Sequence, residues 1–418
     1  MVVFIIDINY CIMSKKFKIG LVNETKTPPD RRVVLPPAQA KALTTLFPNI
    51  EVVAQPSKLR CYTDVEYTQH GVPLQDDLSD CDLLLGVKEV KIDSLKNGKT
   101  YLFFAHVAKK QPHNRKLLQA IVDKGITLLD HEYLTAKTGE RLVAFGHWAG
   151  IVGAYNGLIA YGKRTGEFDL KRANACHDYQ EVKEQLANIK LSKAKIVVTG
   201  GGRVAGGAME VIKAVGVKEV SPEEFLAKEF DEAVVCRLDP WHYAHRKDGE
   251  AFEWNHWVNH PMDYISCFLP YAKVSDMFIA CHYWDFRSPH FFTLNDMQLP
   301  DFKIKVIADV SCDVPGPIPS TLRATTIADP FYDFNPKRNA EEPAFSGEQN
   351  ITMMTIDNLP GELPRDASEF FGKTLIDNVI SHLVGNDVDG VVERATIVKD
   401  GKLTERYLYL QDYLEGKE

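Results

Sequence analysis

The sequence predicts an α/β fold with parallel sheets, arranged as two domains. Three observations carry this. Short apolar runs that end in charge alternate with helical stretches over the first 150 of the 418 residues. A second alternation begins at Lys195. Between them, 146–163 is rich in Gly and Ala, the composition of a helix packed closely on another helix. Strand and helix in turn bury a sheet under helices, which is how parallel sheets are built.

The elements follow in order. Lys18 to Val22 is a strand, Pro37 to Leu46 a helix opened by proline, and 51–53 a strand. The runs Cys81–Val87, Thr100–Ala105 and Gly125–Leu129 are buried strands, with a helix over Arg115–Lys124 before the last. In the second series the strands are 195–199, 217–220, 232–236, 277–280 and 305–310. Thr325 to Ser346, with Pro330, Pro336 and Pro343, is expected to be a loop returning the chain to the first domain. A helix is expected over Ala367–Leu383, capped by Asp366 and Glu369, with Phe371, Leu375, Val379 and Leu383 on one face. Asp400-Gly401 is a hairpin turn. The expected domains are 13–147 with 330–418, and 148–329.

Hydrophobic residues make up 45% and charged residues 25%, the balance of a globular protein. The net charge of −8 argues against nucleic-acid and anionic-membrane partners and leaves a small-molecule substrate open. Oligomeric state has no signature. The eight cysteines form no CxxC pair, so reduced thiols and a cytoplasmic setting are expected. The apolar stretch 2–6 is too short to span a membrane, and residues 1–12 are expected to be an extension upstream of a natural beginning at Met13.

Gly200-Gly201-Gly202-Arg203-Val204-Ala205 stands between a strand and a helix. In such a G-x-G-x-x-A turn the first glycine makes the bend and the second admits a pyrophosphate. The small third residue lets helix and strand close up, and the helix N-terminus faces the phosphates. Gly200, Gly202, Arg203, Val204 and Ala205 are the candidate dinucleotide residues. An acid for the adenosine ribose is expected at the end of the next strand, about 20 residues on. Ser221 stands there instead, with Glu223 and Glu224 slightly late, so NAD and NADP both stay open.

Four pieces carry chemistry: Glu24-Thr25-Lys26 with Asp30-Arg31-Arg32; Gly86-Val87-Lys88-Glu89; Phe104-Ala105-His106 with Lys109 and Lys110; and Asp130-His131-Glu132. Lys88, His106 and Glu132 follow strands, and ligands of open α/β sheets gather at carboxyl ends of strands. With Arg141–Gly150, Asp309-Val310-Ser311-Cys312-Asp313 and Leu359–Phe371, these pieces resemble, in order, the lysine-forming saccharopine dehydrogenases, relatives of alanine dehydrogenase. The resemblance implies two Rossmann-like domains, an active site in the interdomain cleft, and cleavage of saccharopine to lysine and 2-oxoglutarate with reduction of NAD. It implies Lys88 and His106 as the acid–base pair, Glu132 as the acid that tunes them and Arg32 as a substrate-carboxylate ligand. Asp309 is a cofactor candidate.

The residue types suit that reaction. Hydride leaves the carbon next to nitrogen only when the amine is unprotonated, and a lysine in a dry cleft beside another cation can accept that proton. A histidine shuttles protons in the right range as the imine is hydrolysed. Saccharopine has three carboxylates, so further cations are needed; Arg31, Lys109 and Arg141 are candidates beside Lys110 and Arg115. Two alternatives remain: an alanine dehydrogenase-like or other opine dehydrogenase on the same fold, and a catalytically silent nucleotide-binding protein. Residues 239–263, with four histidines and three tryptophans, look like an insertion. Without a cysteine or fixed acid to complete a set, no metal site is assigned, and an aromatic lid over cofactor or substrate is expected.

Overall fold

The computed structural model describes residues 16–417. The expected extension at 1–12 and the beginning at Met13 lie outside the described residues. The chain divides into two compact units, Met1–Ala144 with Ser368–Glu418, and Phe145–Ala367.

In the first unit, β1 (Phe17–Leu21), β2 (Ile50–Ala54), β3 (Leu83–Leu85), β4 (Thr100–Phe103) and β5 (Thr127–Asp130) are parallel neighbours. Leu83, Leu84 and Leu85 are all buried, because helices cover both faces of such a sheet. The connecting helices are α1 (Pro37–Leu46), α2 (Asp64–Gln69) and α3 (Arg115–Asp123). Pro37 opens α1 where no intrahelical N–H is needed, and Thr63 and Glu66 form a capping box on α2.

The second unit opens on α4 (Gly146–Thr165) and α5 (Tyr179–Ala187). Then come β6 (Lys195–Thr199), α6 (Arg203–Ala214), β7 (Lys218–Glu219), α7 (Pro222–Ala227) and β8 (Val234–Leu238). The segment after it forms α8 (Pro240–Tyr243), β9 (Ala244–Arg246), α9 (Trp254–Asn259) and β10 (Tyr264–Ser266). The unit continues with α10 (Leu269–Ala272), β11 (Met277–Ala280), α11 (Leu294–Met297), β12 (Val306–Asp309), β13 (Phe331–Asn335), β14 (Ala340–Glu342) and β15 (Ile351–Met354). Its main sheet runs β14-β13-β15-β12-β11-β6-β8-β7, antiparallel only where β13 meets β14 and β15. The expected close packing of the Gly/Ala-rich helix is there. A Cβ on Gly150 of α4 would lie 1.8 Å from the carbonyl oxygen of Val204, and one on Gly207 of α6 would lie 2.1 Å from that of His147.

Two expectations need correction. Residues 325–346 are not a loop leading back to the first unit: β13 and β14 form a hairpin in the second unit's sheet, and the boundary falls at 367/368, not at 330. Pro330, Pro336 and Pro343 flank these strands without interrupting them, so they are compatible with pairing. The late helix also starts earlier: α12 (Pro364–Asn378) begins on a proline, with Asp366 and Glu369 inside it. Val379 leaves helical geometry at φ −130°, and α13 (Ile380–Val384) follows. The chain then adds β16 (Thr396–Lys399) and β17 (Lys402–Leu403) to the first sheet, which runs β17-β16-β5-β4-β3-β1-β2. Asp400 and Gly401 turn the hairpin with φ +48° and +76°, as a two-residue primed turn demands. Among the described residues no helix is long and apolar enough to cross a membrane, and Cys81, Cys176, Cys236, Cys267, Cys281 and Cys312 are free thiols.

Candidate active site and dinucleotide site

In the first unit Lys88 and Glu89 follow β3, His106 follows β4, and His131 and Glu132 follow β5. These strands are neighbours in register, so their carboxyl ends lie side by side. Two carboxylates fix the chain there, half-buried Glu24 and fully buried Asp130. Glu24 accepts hydrogen bonds from the N–H groups of Val87 (2.6 Å) and Lys88 (2.9 Å). Asp130 accepts from the N–H groups of Ala105 (3.1 Å), His106 (3.2 Å) and Glu132 (2.8 Å). These bonds help hold His106 at φ +54°, a left-handed conformation uncommon outside glycine. Burial pushes both acids up, Glu24 to about 7 and Asp130 to about 6.

Burial is also the chief reason the Lys88 ammonium falls from 10.5 to about 8; the positive charges of Arg32 and Lys26 add to it, against Glu89 and Asp30. His106 Nδ1 lies 2.8 Å from Glu89 Oε1. Burial alone would raise Glu89, but the hydrogen bond from His106 and the charge of Lys26, 3.5 Å away, bring it down to about 2. An ionised acceptor at Nδ1 makes that nitrogen the N–H and leaves Nε2 for proton exchange. His131 is buried, lies 2.9 Å from the Gly86 carbonyl, and is pushed down to about 4 by burial, so it stays neutral between Phe104 and Phe371.

The remaining candidates divide. Arg32 is 2% exposed and grips Asp30 through Nε (3.0 Å) and Nη2 (2.6 Å), a buried bidentate pair beside Lys88. Arg31 is exposed and its Nε donates to the Leu59 carbonyl, so it stands outside the cluster. Lys109 (3.0 Å) and Arg141 both meet Glu132 Oε1. Burial would raise Glu132, but the charges of Arg141 and Lys109 outweigh it and hold it below the usual carboxylate range. Glu132 therefore reaches His106 through charge, and the direct partner of the imidazole is Glu89. Sequence reasoning had Glu89, Glu24 and Asp130 in view, next to assigned residues, but gave them no role. A strand-end acid adjoining a candidate catalytic group was the available signal.

The second unit carries the glycine turn. Gly200 sits at φ +105°, and a Cβ there would lie 2.5 Å from the Cys281 carbonyl oxygen, so only glycine fits. A Cβ on Gly202 or Gly206 would meet nothing within 4 Å, which leaves open space where a phosphate approaches. Gly202 is the N-cap of α6, Arg203 and Val204 begin the helix, and Ala205 is fully buried. First-turn N–H groups have no intrahelical acceptor, so the cradle fits a dinucleotide pyrophosphate. Two candidates fall away from it. Ser221 caps α7, its hydroxyl accepting from the Glu224 N–H, at the end of the edge strand β7. Asp309 is fully buried, and its carboxylate takes Ser311 N, Ser311 Oγ, Cys312 N and Thr321 Oγ1, which makes it a turn former.

The histidine- and tryptophan-rich segment is no simple lid. β9 and β10 pair as a small antiparallel sheet, and Trp257 and Tyr264 pack with Phe252 into the apolar core that also holds Val197, Phe278 and Ile307 of the second unit's main sheet. Trp241 and Trp254 are exposed. His242 Nδ1 accepts from the Asp239 N–H and His256 contacts the Tyr264 hydroxyl, so these histidines serve local structure.

Comparison with known proteins agrees with this architecture. Residues 20–152 match the alanine dehydrogenase/PNT N-terminal domain family. A solved L-alanine dehydrogenase superposes with a TM-score of 0.66 at 16% identity, covering 96% of this chain and 100% of that one. A transhydrogenase from Sinorhizobium meliloti superposes at 0.56 and 15% identity, covering 93% and 100%. The class is therefore that of two-unit α/β proteins with the alanine dehydrogenase fold. The mitochondrial alpha-aminoadipic semialdehyde synthase of Rattus norvegicus is 31% identical over 93% of this chain and 47% of its own length. The saccharopine dehydrogenase [NAD(+), L-lysine-forming] of Emericella nidulans is 29% identical over 87% of this chain and 91% of its own. Within its class the chain is similar to the lysine-forming saccharopine dehydrogenases, and it spans about half the length of the semialdehyde synthases it also matches.

Proposed function

We propose that the chain is an NAD-dependent oxidoreductase of the CH–NH class that cleaves saccharopine to L-lysine and 2-oxoglutarate, reversibly. The observation that carries the reading is a half-buried lysine brought down to about 8, beside a carboxylate, Glu89, that holds His106 at 2.8 Å. NAD, when bound, takes the hydride from the carbon next to nitrogen. Neutral Lys88 accepts the proton of the secondary amine, which frees the lone pair that drives the hydride out. Nε2 of His106 takes a proton from the water that adds to the imine and returns it to the departing lysine amine, while Glu89 holds the ring and stabilises its charged form. One saccharopine, one NAD+ and one water thus give lysine, 2-oxoglutarate, NADH and a proton. Arg32, Lys109 and Arg141 are the carboxylate ligands of this reading. Each already holds an acid, so substrate carboxylates compete with Asp30 and Glu132 for them.

The same reading makes the protein a cytoplasmic enzyme of a small amino-acid substrate, without nucleic-acid or membrane partners; its acidic charge and the free thiols of Cys81, Cys176, Cys236, Cys267, Cys281 and Cys312 support this. The test follows nicotinamide absorbance. Saccharopine with NAD is expected to give NADH, and lysine, 2-oxoglutarate and NADH to consume it. Turnover of alanine and pyruvate without turnover of saccharopine would refute the substrate. Dinucleotide binding without turnover of any amino acid would refute the enzyme.

A further inference from the structure

The ribose acid missing from the sequence is present in the structure, on a different strand. In a dinucleotide fold the group that reads the adenosine ribose stands at the carboxyl end of the strand beside the glycine-turn strand. The next strand in sequence normally fills that slot. Here it does not: β7 lies at the sheet edge, and β8 pairs directly with β6 over Lys195↔Val234 to Thr199↔Leu238. The strand beside the glycine turn therefore ends in Arg237-Leu238-Asp239.

The contacts join that end to the turn. The Gly200 N–H donates to the Leu238 carbonyl at 2.8 Å. Arg237 Nη1 donates to the Gly200 carbonyl at 3.3 Å and to Asp239 Oδ1 at 2.6 Å. A Cβ on Gly201 would lie 2.2 Å from Asp239 Oδ1, so the residue between the two motif glycines must also be glycine to leave the carboxylate its place. Gly201, Gly202, Glu219 and Arg237 border a cavity of about 340 Å3 over the first turns of α6. Ser221, the residue the spacing points to, is used as a helix cap, and Glu219 is engaged with Lys213 at 2.8 Å.

We infer that Asp239 is the carboxylate that accepts the adenosine ribose hydroxyls of the bound dinucleotide, with Arg237 as the positioning residue that holds it against the glycine turn. A carboxylate there accepts the 2′-hydroxyl of NAD and repels the 2′-phosphate of NADP, so the site prefers NAD. Arg237 is the counter-element: without Asp239 its guanidinium is free to receive a phosphate. This inference rests on the proposed function for the presence of a dinucleotide site.

The test is binding, read by the fluorescence of NADH and NADPH titrated separately with the full chain. Wild type is expected to bind NADH more tightly than NADPH. Asp239→Asn is expected to weaken NADH about tenfold or more, the loss of a charge-assisted hydrogen bond, while NADPH binding holds or tightens. Arg237→Met is expected to weaken NADH less and to gain nothing for NADPH. Ser221→Ala and Glu219→Gln are expected to leave the ratio of the two dissociation constants unchanged. Tighter NADPH binding by wild type, an equal change for both coenzymes in Asp239→Asn, or a shifted ratio in Ser221→Ala or Glu219→Gln would each overturn the assignment. A folded wild-type chain that binds neither coenzyme would overturn the dinucleotide reading itself, a distinct outcome. A fall in Asp239→Asn caused by local unfolding would weaken both coenzymes alike and leave the ratio where it was, which counts against the proposal.

Discussion

Replacing Lys88 by methionine removes a charge that the fold tolerates poorly. Lys88 is brought from 10.5 to about 8, chiefly by burial and then by Arg32 and Lys26. A depression of that size corresponds to about 3 kcal/mol of disfavour for the ammonium in the folded state. The unfolded chain keeps the ordinary value, so between about 8 and 10.5 it binds more protons than the folded one, and stability rises with pH across that window. Below about 8 the folded protein bears the full penalty. Methionine has a similar stem and no charge, so Lys88→Met should be stabilised by about 1 to 3 kcal/mol at pH 7, allowing for partial solvation of the native ammonium. The gain should shrink towards zero as pH approaches 10.5. Urea denaturation of both proteins at pH 7 and pH 9.5 measures this, and turnover measured alongside should fall by orders of magnitude. A variant less stable than wild type at pH 7, or a stability difference independent of pH, would show that the ammonium is not held at a cost and would remove the physical basis for Lys88 as the base.

Other substitutions test the surroundings. Glu89→Gln should lower turnover roughly ten- to a hundredfold, as loss of a group that orients another does, and should move the pH profile; an unchanged profile would detach Glu89 from His106. Gly150→Ala should destabilise by about 2 kcal/mol or more, since its methyl would lie 1.8 Å from the Val204 carbonyl oxygen; a thermal midpoint within a degree of wild type would contradict the packing of α4 on α6. Arg164→Met should cost about 3 to 5 kcal/mol in urea denaturation, because Arg164 pairs at 3.3 Å with fully buried Asp333 and also donates to the Gly347, Glu348 and Asn350 carbonyls. A loss under about 1 kcal/mol would mean that Asp333 has other means of support.

Much of this arrangement was legible in the chain, and the gaps have physical causes. The strand-end positions of Lys88 and His106 followed from apolar runs that stop at charge, and the α4–α6 approach from small residues at helical spacing. The spacing pointed to Ser221 because sequence order stands for spatial order only when consecutive strands are neighbours; β7, two residues long, lies at the edge and β8 pairs with β6. The 325–346 hairpin was hidden because prolines outside a strand look the same in sequence as prolines inside a loop. Glu89 went unassigned because a carboxylate next to a lysine reads as a solvated pair until the neighbouring strand shows that it faces His106.

In the proposed mechanism the acid side of the pH profile belongs to the scaffold as much as to Lys88. Glu24 and Asp130 hold the backbone at 87–88 and 105–106 as acceptors, and burial has raised them to about 7 and about 6. A carboxylate raised in the folded state favours folding when protonated, so acidification over this range does not unfold the protein through these groups. It does weaken the clamp: a protonated Glu24 keeps one good acceptor oxygen for two N–H donors and holds Val87 and Lys88 less firmly. Lys88 then loses its aim. Single-turnover hydride transfer in Glu24→Gln, whose amide cannot titrate, should therefore keep the limb near 8 and lose the further fall around pH 7. A profile unchanged from wild type in that variant would assign the whole acid limb to Lys88 and deny Glu24 any part in it.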